Sequence, residues 1–414
     1  MKILVVGGGS GGHITPAVAV VREILEARPR TRIEFWTDRK YYGNVVKITT
    51  EIGVKRGDED KVGSRENPYI YVRKIMAGKF HRYAGWKVKD YVENWRITLK
   101  DLIWGNVCGF VGFVGGLVQA FVRLVGKEGR PDAIFLKGGF VGLPVGLVAK
   151  VLKIPYVIHE SDAVPGLANR LLMDKAKVVA TGTEGSFGGT RPTTSRFVFT
   201  GTPVAAEFKP VSERRQRSLK KAIGFDPERP LVMITGGSQG SENINLAMRE
   251  ILPEMLKFTS VGLIAGRKHY EEMMDLKKYE TWDGAKLTSN FRMWNFSPAM
   301  DELMGAADVV ISRAGATTIA ELAALKKAVV LVPFERLPGG HQVKNAEQLE
   351  EMNAVVMVKD ADMQEQPGML LEATRKVIRS PKRRVEMAEN LHKLAKTDAA
   401  KKLAEIVVSV AMES

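Results

Sequence analysis

One cysteine, Cys108, occurs in 414 residues. That excludes an intrachain disulfide and points to a reducing compartment. The apolar core and cleavage site of a secretory leader are missing. Residues 2–6 read at once as a strand that runs into glycines, so the cytoplasm is expected. No G-x-x-x-x-G-K-[ST] loop is present, which disfavours phosphoryl transfer on a P-loop. Neither H-E-x-x-H nor C-x-x-C occurs, and no short-period repeat or low-complexity tract interrupts the chain. Neither a metal site nor a cofactor is expected.

What is present is apolar and basic. The hydrophobic share is 45% and the charged share 26%, which describes a globular protein. A formal charge of +15 points to an anionic partner, such as nucleotide phosphates, nucleic acid or an acidic membrane surface. The length suggests two domains. Short Val/Ile-rich runs alternate with helix-length segments throughout: 2–6, 32–36, 69–75, 132–136, 156–160, 177–181 and 196–200, then 230–235, 261–265, 291–295, 308–312, 328–333 and 354–358. Runs without polar alternation suit strands buried on both faces of a parallel sheet. Two doubly wound α/β units follow, with a break near Thr200-Gly201-Thr202-Pro203. Residues 381–410 read as a single Ala/Leu/Lys/Glu-rich helical segment.

One stretch departs from this alternation. Leu102 to Val122 carries no charge over 21 residues, and holds five glycines that weaken a soluble helix. Just upstream, residues 73–100 contain eight Lys/Arg against two acids, interleaved with Phe80, Tyr83, Trp86, Tyr91 and Trp95. A transmembrane helix, a buried crossover helix and single-stranded nucleic acid binding compete here. An interfacial or re-entrant element on anionic headgroups fits best, because it also accounts for the apolar run.

Several strand-to-helix turns carry chemistry. Gly7-Gly8-Gly9-Ser10-Gly11-Gly12-His13 opens a helix with Pro16 in its first turn, where glycines let phosphate or sugar approach the backbone. It also fits G-x-G-x-x-G, with Asp38 after the second strand as a ribose-binding acid. His13 is outside that fingerprint; it can serve as a general base, or cap the helix or orient a ligand. Gly138 and Gly139 form a second turn. His159 and Glu160 end a strand before Asp162 and Asn169, as a buried hydrogen-bonded pair or as ligand contacts. In the second half, Ser238 sits in a glycine loop suited to diphosphate. The Arg313-to-Glu321 stretch pairs a phosphate-type helix start with a carboxylate fit for a ribose diol. His341 and Gln342 suit sugar hydroxyls. Asp58-Glu59-Asp60 has an Asp-x-Asp form but reads as a solvated loop.

In order along the chain, GGGSGGH-x-x-P, KGGFVGLPVGLVAKVLKIPYVIHESDAVPGLANRLL, TGGSQG, SRAGATTIAEL and VPF…HQVKNA resemble the MurG-type glycosyltransferases. These are the undecaprenyldiphospho-muramoylpentapeptide β-N-acetylglucosaminyltransferases of peptidoglycan synthesis. The likeness is weakest over residues 40–130. It implies a GT-B fold of two doubly wound Rossmann-like α/β domains facing across a cleft. Residues 1–203 would be the acceptor-binding and membrane-docking domain, with the last helix, about 395–414, packed back on it. Residues 204–394 would bind the UDP-sugar. It implies UDP-GlcNAc as donor and undecaprenyl-linked lipid I as acceptor. An anionic membrane surface would be met through residues 73–125, with no nucleic acid partner, at the cytoplasmic face of the membrane.

The resemblance assigns His13 to catalysis. Glu321 would hold the ribose, Ala316, Thr317, Thr318 and Ser238 the phosphates, and the backbone at Phe296-Ser297 the uracil. Gln342 and His341 would contact the sugar ring; Ser10, Gly11, Gly12 and Asp162 join the donor set. Gly138, Gly139, Glu160 and Asn169 belong to the remaining loops. Three positions depart from the family pattern. His-Glu-Gln-Asn is here His159-Glu160-Ser161-Asp162, a usual glutamine is His341, and the hinge arginine is Ala205. The competing enzyme reading is another nucleotide-sugar transferase acting on a lipid such as diacylglycerol. An NAD-dependent oxidoreductase explains the first loop alone, and a membrane-binding scaffold explains residues 73–125 alone.

Overall fold

The computed structural model describes residues 1–50, 52, 69–80, 104–126, 129–184, 196–283, 288–335 and 340–414. The chain forms two compact units, Met1–Ala205 with Thr397–Ser414, and Ala206–Lys396.

Each apolar run of the sequence becomes a parallel strand. In the first unit these are β1 (Lys2–Val6), β2 (Arg32–Thr37), β3 (Ile70–Lys74), β4 (Ala133–Leu136), β5 (Tyr156–Glu160), β6 (Val178–Thr181) and β7 (Arg196–Phe199). Their order is β3-β2-β1-β4-β5-β6-β7, so the winding reverses between β1 and β4. The second unit has β8 (Leu231–Thr235), β9 (Ser260–Ile264), a short antiparallel pair β10 (Trp282–Asp283) and β11 (Thr288–Ser289), β12 (Phe291–Trp294), β13 (Val309–Ser312), β14 (Ala328–Leu331) and β15 (Val356–Met357). Its main sheet runs β12-β9-β8-β13-β14-β15, with the reversal between β8 and β13.

The strands lack polar alternation because both faces are covered. In β1, Ile3 and Val5 enter one core while Leu4 and Val6 enter another. In β8, Val232 and Ile234 face one way, Leu231 and Met233 the other. A period of two in side-chain direction, with apolar residues at every position, is what a helix layer on each face requires.

Two expectations about helices need correction. Residues 381–410 are two helices, Pro381–His392 and Ala399–Met412. The second sends Leu403, Val407 and Val410 into the β1-side core of the first unit. The first-loop helix starts at Gly11, so Pro16 lies inside it rather than in its first turn. The uncharged run, read as an interfacial or re-entrant element, forms one continuous helix, Gly105–Val125.

That helix uses its glycines for packing. A Cβ at Gly109 would lie 2.7 Å from the Lys79 carbonyl oxygen, and one at Gly116 only 2.2 Å from that of Met76. The segment after β3 therefore crosses directly over the glycine face. The opposite face is apolar and open: Phe110 is 59% exposed, Val118 59% and Val122 68%. By length and composition alone this helix is long and apolar enough to cross a membrane. Tyr83, Trp86, Tyr91, Trp95 and Asp58-Glu59-Asp60 lie outside the described residues.

Candidate functional site

Polar residues gather at the carboxyl ends of strands in each unit, next to the point where strand order reverses. This is where open α/β sheets form ligand crevices.

In the first unit the loop after β1 is held by Asp38, whose Oδ1 accepts from the Gly9 N–H at 2.9 Å. Asp38 thus anchors the glycine loop instead of standing free as a ribose acid. Gly9 has φ +79° and lies under the Phe140 ring, so a side chain there meets both strain and a clash. Ser10 precedes the helix Gly11–Ala27 in extended conformation, and its Oγ lies 2.9 Å from His13 Nδ1. The half-buried His13 ring rests on Gly139, which has φ +74° and where a Cβ would come within 3.1 Å of the imidazole. Burial, reinforced by the positive charge of Lys137, lowers the His13 pKa to about 4, so the ring is uncharged at neutral pH.

Beside it, His159 and Glu160 are both buried and hydrogen-bonded, though not to each other. His159 Nε2 donates to the Gly201 carbonyl at 3.0 Å. Burial, with Lys137 adding to it, holds that imidazole neutral as well. Glu160 Oε2 accepts from the Gly166 N–H at 2.8 Å and from Asn169 Nδ2 at 2.9 Å, and its Oε1 accepts from the Asp162 N–H. Glu160 therefore shapes the turn that carries Asp162. Asn169 packs against Gly138, and among the described residues its own Oδ1 is buried without a partner.

In the second unit, Ser238 lies exposed in the loop after β8, and Ser241 caps the next helix by accepting from the Ile244 N–H. Gly315 precedes the helix Ala316–Ala324, with Ala316, Thr317 and Thr318 half-buried in its first turn. Glu321 follows one and a half turns in. Among the described residues its carboxylate takes no hydrogen-bond or ion-pair partner. Burial, with the nearby charge of Asp301, raises its pKa to about 8. Ser297 Oγ accepts from the Ala299 N–H at 3.2 Å, which fixes the turn after β12. His341 and Gln342 begin the helix His341–Glu351, and Gln342 Oε1 accepts from the Phe334 N–H at 2.9 Å. The carboxamide of Gln342 is thus turned so that its NH2 is the group left for a ligand oxygen.

Sequence reasoning passed over the strut beneath these loops. Arg313, buried at the end of β13, donates to Ser241 Oγ through Nε (3.1 Å) and Nη2 (2.6 Å). It donates to the Val332 carbonyl at 3.1 Å and pairs with Asp360. Asp360 in turn accepts from Asn243 Nδ2 at 2.7 Å. One guanidinium thereby ties together the loops after β8, β13 and β14. The signal was available: an arginine placed where a strand ends in small residues has few reasons to be there except its fork of donors. A cavity of about 800 Å³ beside β15, lined among others by Met357, Lys359, Asp362 and Lys376, contains none of the residues considered above.

Comparison with known proteins adds a second line. Residues 3–181 match the glycosyltransferase family 28 N-terminal domain, and residues 231–403 its C-terminal domain. Among curated proteins, a relative from a Thermoanaerobacter species is 30% identical over 410 residues, 99% of this chain and all of the relative. One from Carboxydothermus hydrogenoformans is 31% identical, covering 98% of this chain and 97% of its own. Both are named UDP-N-acetylglucosamine–N-acetylmuramyl-(pentapeptide) pyrophosphoryl-undecaprenol N-acetylglucosamine transferase. Among solved structures, Acinetobacter baumannii MurG superposes with a TM-score of 0.64 at 21% identity over 99% of both chains. A UDP-GlcNAc 2-epimerase from Neisseria meningitidis, bound to UDP-GlcNAc, gives 0.63 at 14% identity over 99% of this chain and 100% of that one. The shared fold is GT-B.

Proposed function

The chain belongs to glycosyltransferase family 28, in its MurG-type branch, and from that premise we propose that it makes lipid II from lipid I. N-acetylglucosamine passes, with inversion, from UDP-GlcNAc to the muramoyl 4-hydroxyl of undecaprenyl-diphospho-MurNAc-pentapeptide. Support comes from full-length similarity to transferases of that name, and from one structural observation above all. Glu321 presents a carboxylate without a partner among the described residues, just behind a phosphate-type helix start.

In this reading the second unit holds the donor. Glu321 accepts both ribose hydroxyls, and the first turn at Ala316, Thr317 and Thr318 faces the diphosphate with Ser238. The loop at Ser297 reads the uracil edge, while the Gln342 amide and His341 reach the sugar. In the first unit, His13 takes the 4-hydroxyl proton as that oxygen attacks the anomeric carbon. The C–O bond to UDP breaks on the opposite face, and UDP leaves with the bonding pair. Helix N-termini stabilise the charge that develops on it. Ser10, Gly11, Gly12 and Asp162 join the donor contacts, and Gly138, Gly139, Glu160 and Asn169 form the remaining loops around His13.

The exposed face of Gly105–Val125 and the basic segment before it supply a peripheral seat on the cytoplasmic face of an anionic membrane. From there a lipid-linked acceptor is reachable, and the product feeds cell-wall growth. The test is transfer of labelled GlcNAc from UDP-GlcNAc to lipid I in the presence of chelator. Incorporation into lipid II is expected. Turnover on diacylglycerol but not on lipid I would assign the chain to a different lipid.

A further inference from the structure

The donor site described so far lacks a fixed cation. Helix starts, hydroxyls and an amide face the nucleotide, and its acid, Glu321, adds negative charge when ionised. A diphosphate is a concentrated anion, and a guanidinium matches its oxygens with paired N–H groups. The position where the family pattern has a hinge arginine is Ala205, which supplies none. Among the described residues, two arginines stand just past the carboxyl ends of strands in the second sheet, Arg267 after β9 and Arg313 after β13. Arg313 is committed to Ser241 and Asp360.

Arg267 is exposed and, among the described residues, takes no hydrogen bond or ion pair. Its guanidinium carbon lies 4.4 Å from the centroid of the Phe296 ring. Phe296 is itself 41% exposed and adjoins Ser297 in the turn after β12. A cation on an exposed ring is a weak contact, so the stack contributes little to holding the fold. What it does is orient: the ring covers one face of the guanidinium plane and leaves the N–H groups on its edge free. Gly266, immediately before, fixes where the arginine starts. It has φ +90°, and a Cβ there would lie 2.7 Å from the Gly240 Cα and 3.1 Å from the Gln239 carbonyl oxygen. The loop after β9 therefore lies in backbone contact with the loop after β8 that carries Ser238. Because β9 lies between β8 and β12 in the sheet, Arg267 stands between that phosphate-type loop and the turn at Ser297.

We propose that Arg267 is a donor-binding residue that supplies the positive charge for the UDP diphosphate, its fork held ready by the Phe296 ring. This rests on the reading above, in which the second unit binds UDP-GlcNAc. Uracil and ribose are neutral and gain little from a full charge, so the guanidinium distinguishes a nucleoside diphosphate from a nucleoside. The same charge offsets the negative charge that builds on UDP as it leaves.

The test titrates UDP and uridine into the wild type, Arg267→Ala and Arg267→Lys, followed by protein NMR at low and high salt. Arg267 is exposed, so both variants are expected to keep the wild-type Tm. In Arg267→Ala, UDP affinity is expected to fall about tenfold or more while uridine affinity holds. The salt dependence of UDP binding should flatten with it. Arg267→Lys, which keeps the charge without the fork, should fall between the two. In turnover, the donor KM should rise while the acceptor KM stays unchanged. Equal losses for UDP and uridine would place the guanidinium on the base and overturn the proposal. So would an unchanged UDP affinity, or a loss that leaves the salt dependence intact. The titrations need no acceptor, so a wild type that binds UDP but fails to glycosylate lipid I sinks the lipid I assignment alone. A wild type that does not bind UDP sinks the donor reading, and the proposal with it.

Discussion

Glu321 is asked to do two opposed things. A carboxylate accepting two ribose hydroxyls must be charged, yet burial and Asp301 hold it protonated up to about pH 8. Donor binding should therefore release a proton at pH 7, detectable by calorimetry in buffers of different ionisation enthalpy. The donor KM should rise as pH falls below 8. Stability runs the other way. The folded state holds a proton between the usual carboxylate range and about 8 that the unfolded chain gives up, so stability declines as pH rises through that window. Glu321→Gln is expected to raise the donor KM by at least about tenfold while stabilising the protein at pH 8.5 by on the order of 1 kcal/mol. Arg313 poses the simpler case. Arg313→Ala strands Asp360, whose side chain is 6% exposed, and should cost about 3–5 kcal/mol in denaturant unfolding. The contrast shows what a sequence displays at this scale. Glu321 was legible because an acid on an Ala/Leu surface has no packing role. The commitments of Asp38 to Gly9 and of Gln342 to Phe334 were not: the first depends on a loop after another strand, and the second on how the connection after β14 folds back on its own helix start.

The helix Gly105–Val125 inverts an ordinary rule. Glycine lowers helix propensity, but here it removes the side chains that would hold the chain at Met76–Lys79 away. Gly116→Val should therefore destabilise by roughly 2 kcal/mol, against a gain in propensity of a few tenths, measured as a lower Tm. A stabilised variant would mean that the crossing segment yields freely. The strands themselves were readable, since a run of Val and Ile buried on both faces has few alternatives. The glycine face was not, since five glycines state only that something comes close, without naming it. The two-residue β10 and β11 were equally hidden, being too short for any periodicity.

For the whole molecule, charge and apolar surface make a joint prediction. Replacing Phe110, Val111 and Val118 together by Ser should abolish sedimentation with anionic vesicles. Turnover on a water-soluble, short-chain acceptor analogue should remain at the wild-type level. Retained vesicle binding would place the docking surface elsewhere. The last feature is connectivity. The first unit is finished by Ala399–Met412, whose Leu403, Val407 and Val410 close a core that Ile3 and Val5 began. Between them lie about 190 residues of the second unit, which take roughly 10–40 s to synthesise. For that time the newborn first unit carries an uncapped sheet face, and the second unit is free to fold before the first is whole. Order of synthesis and order of completion are thus reversed: the half that leaves the ribosome first is the last to be closed.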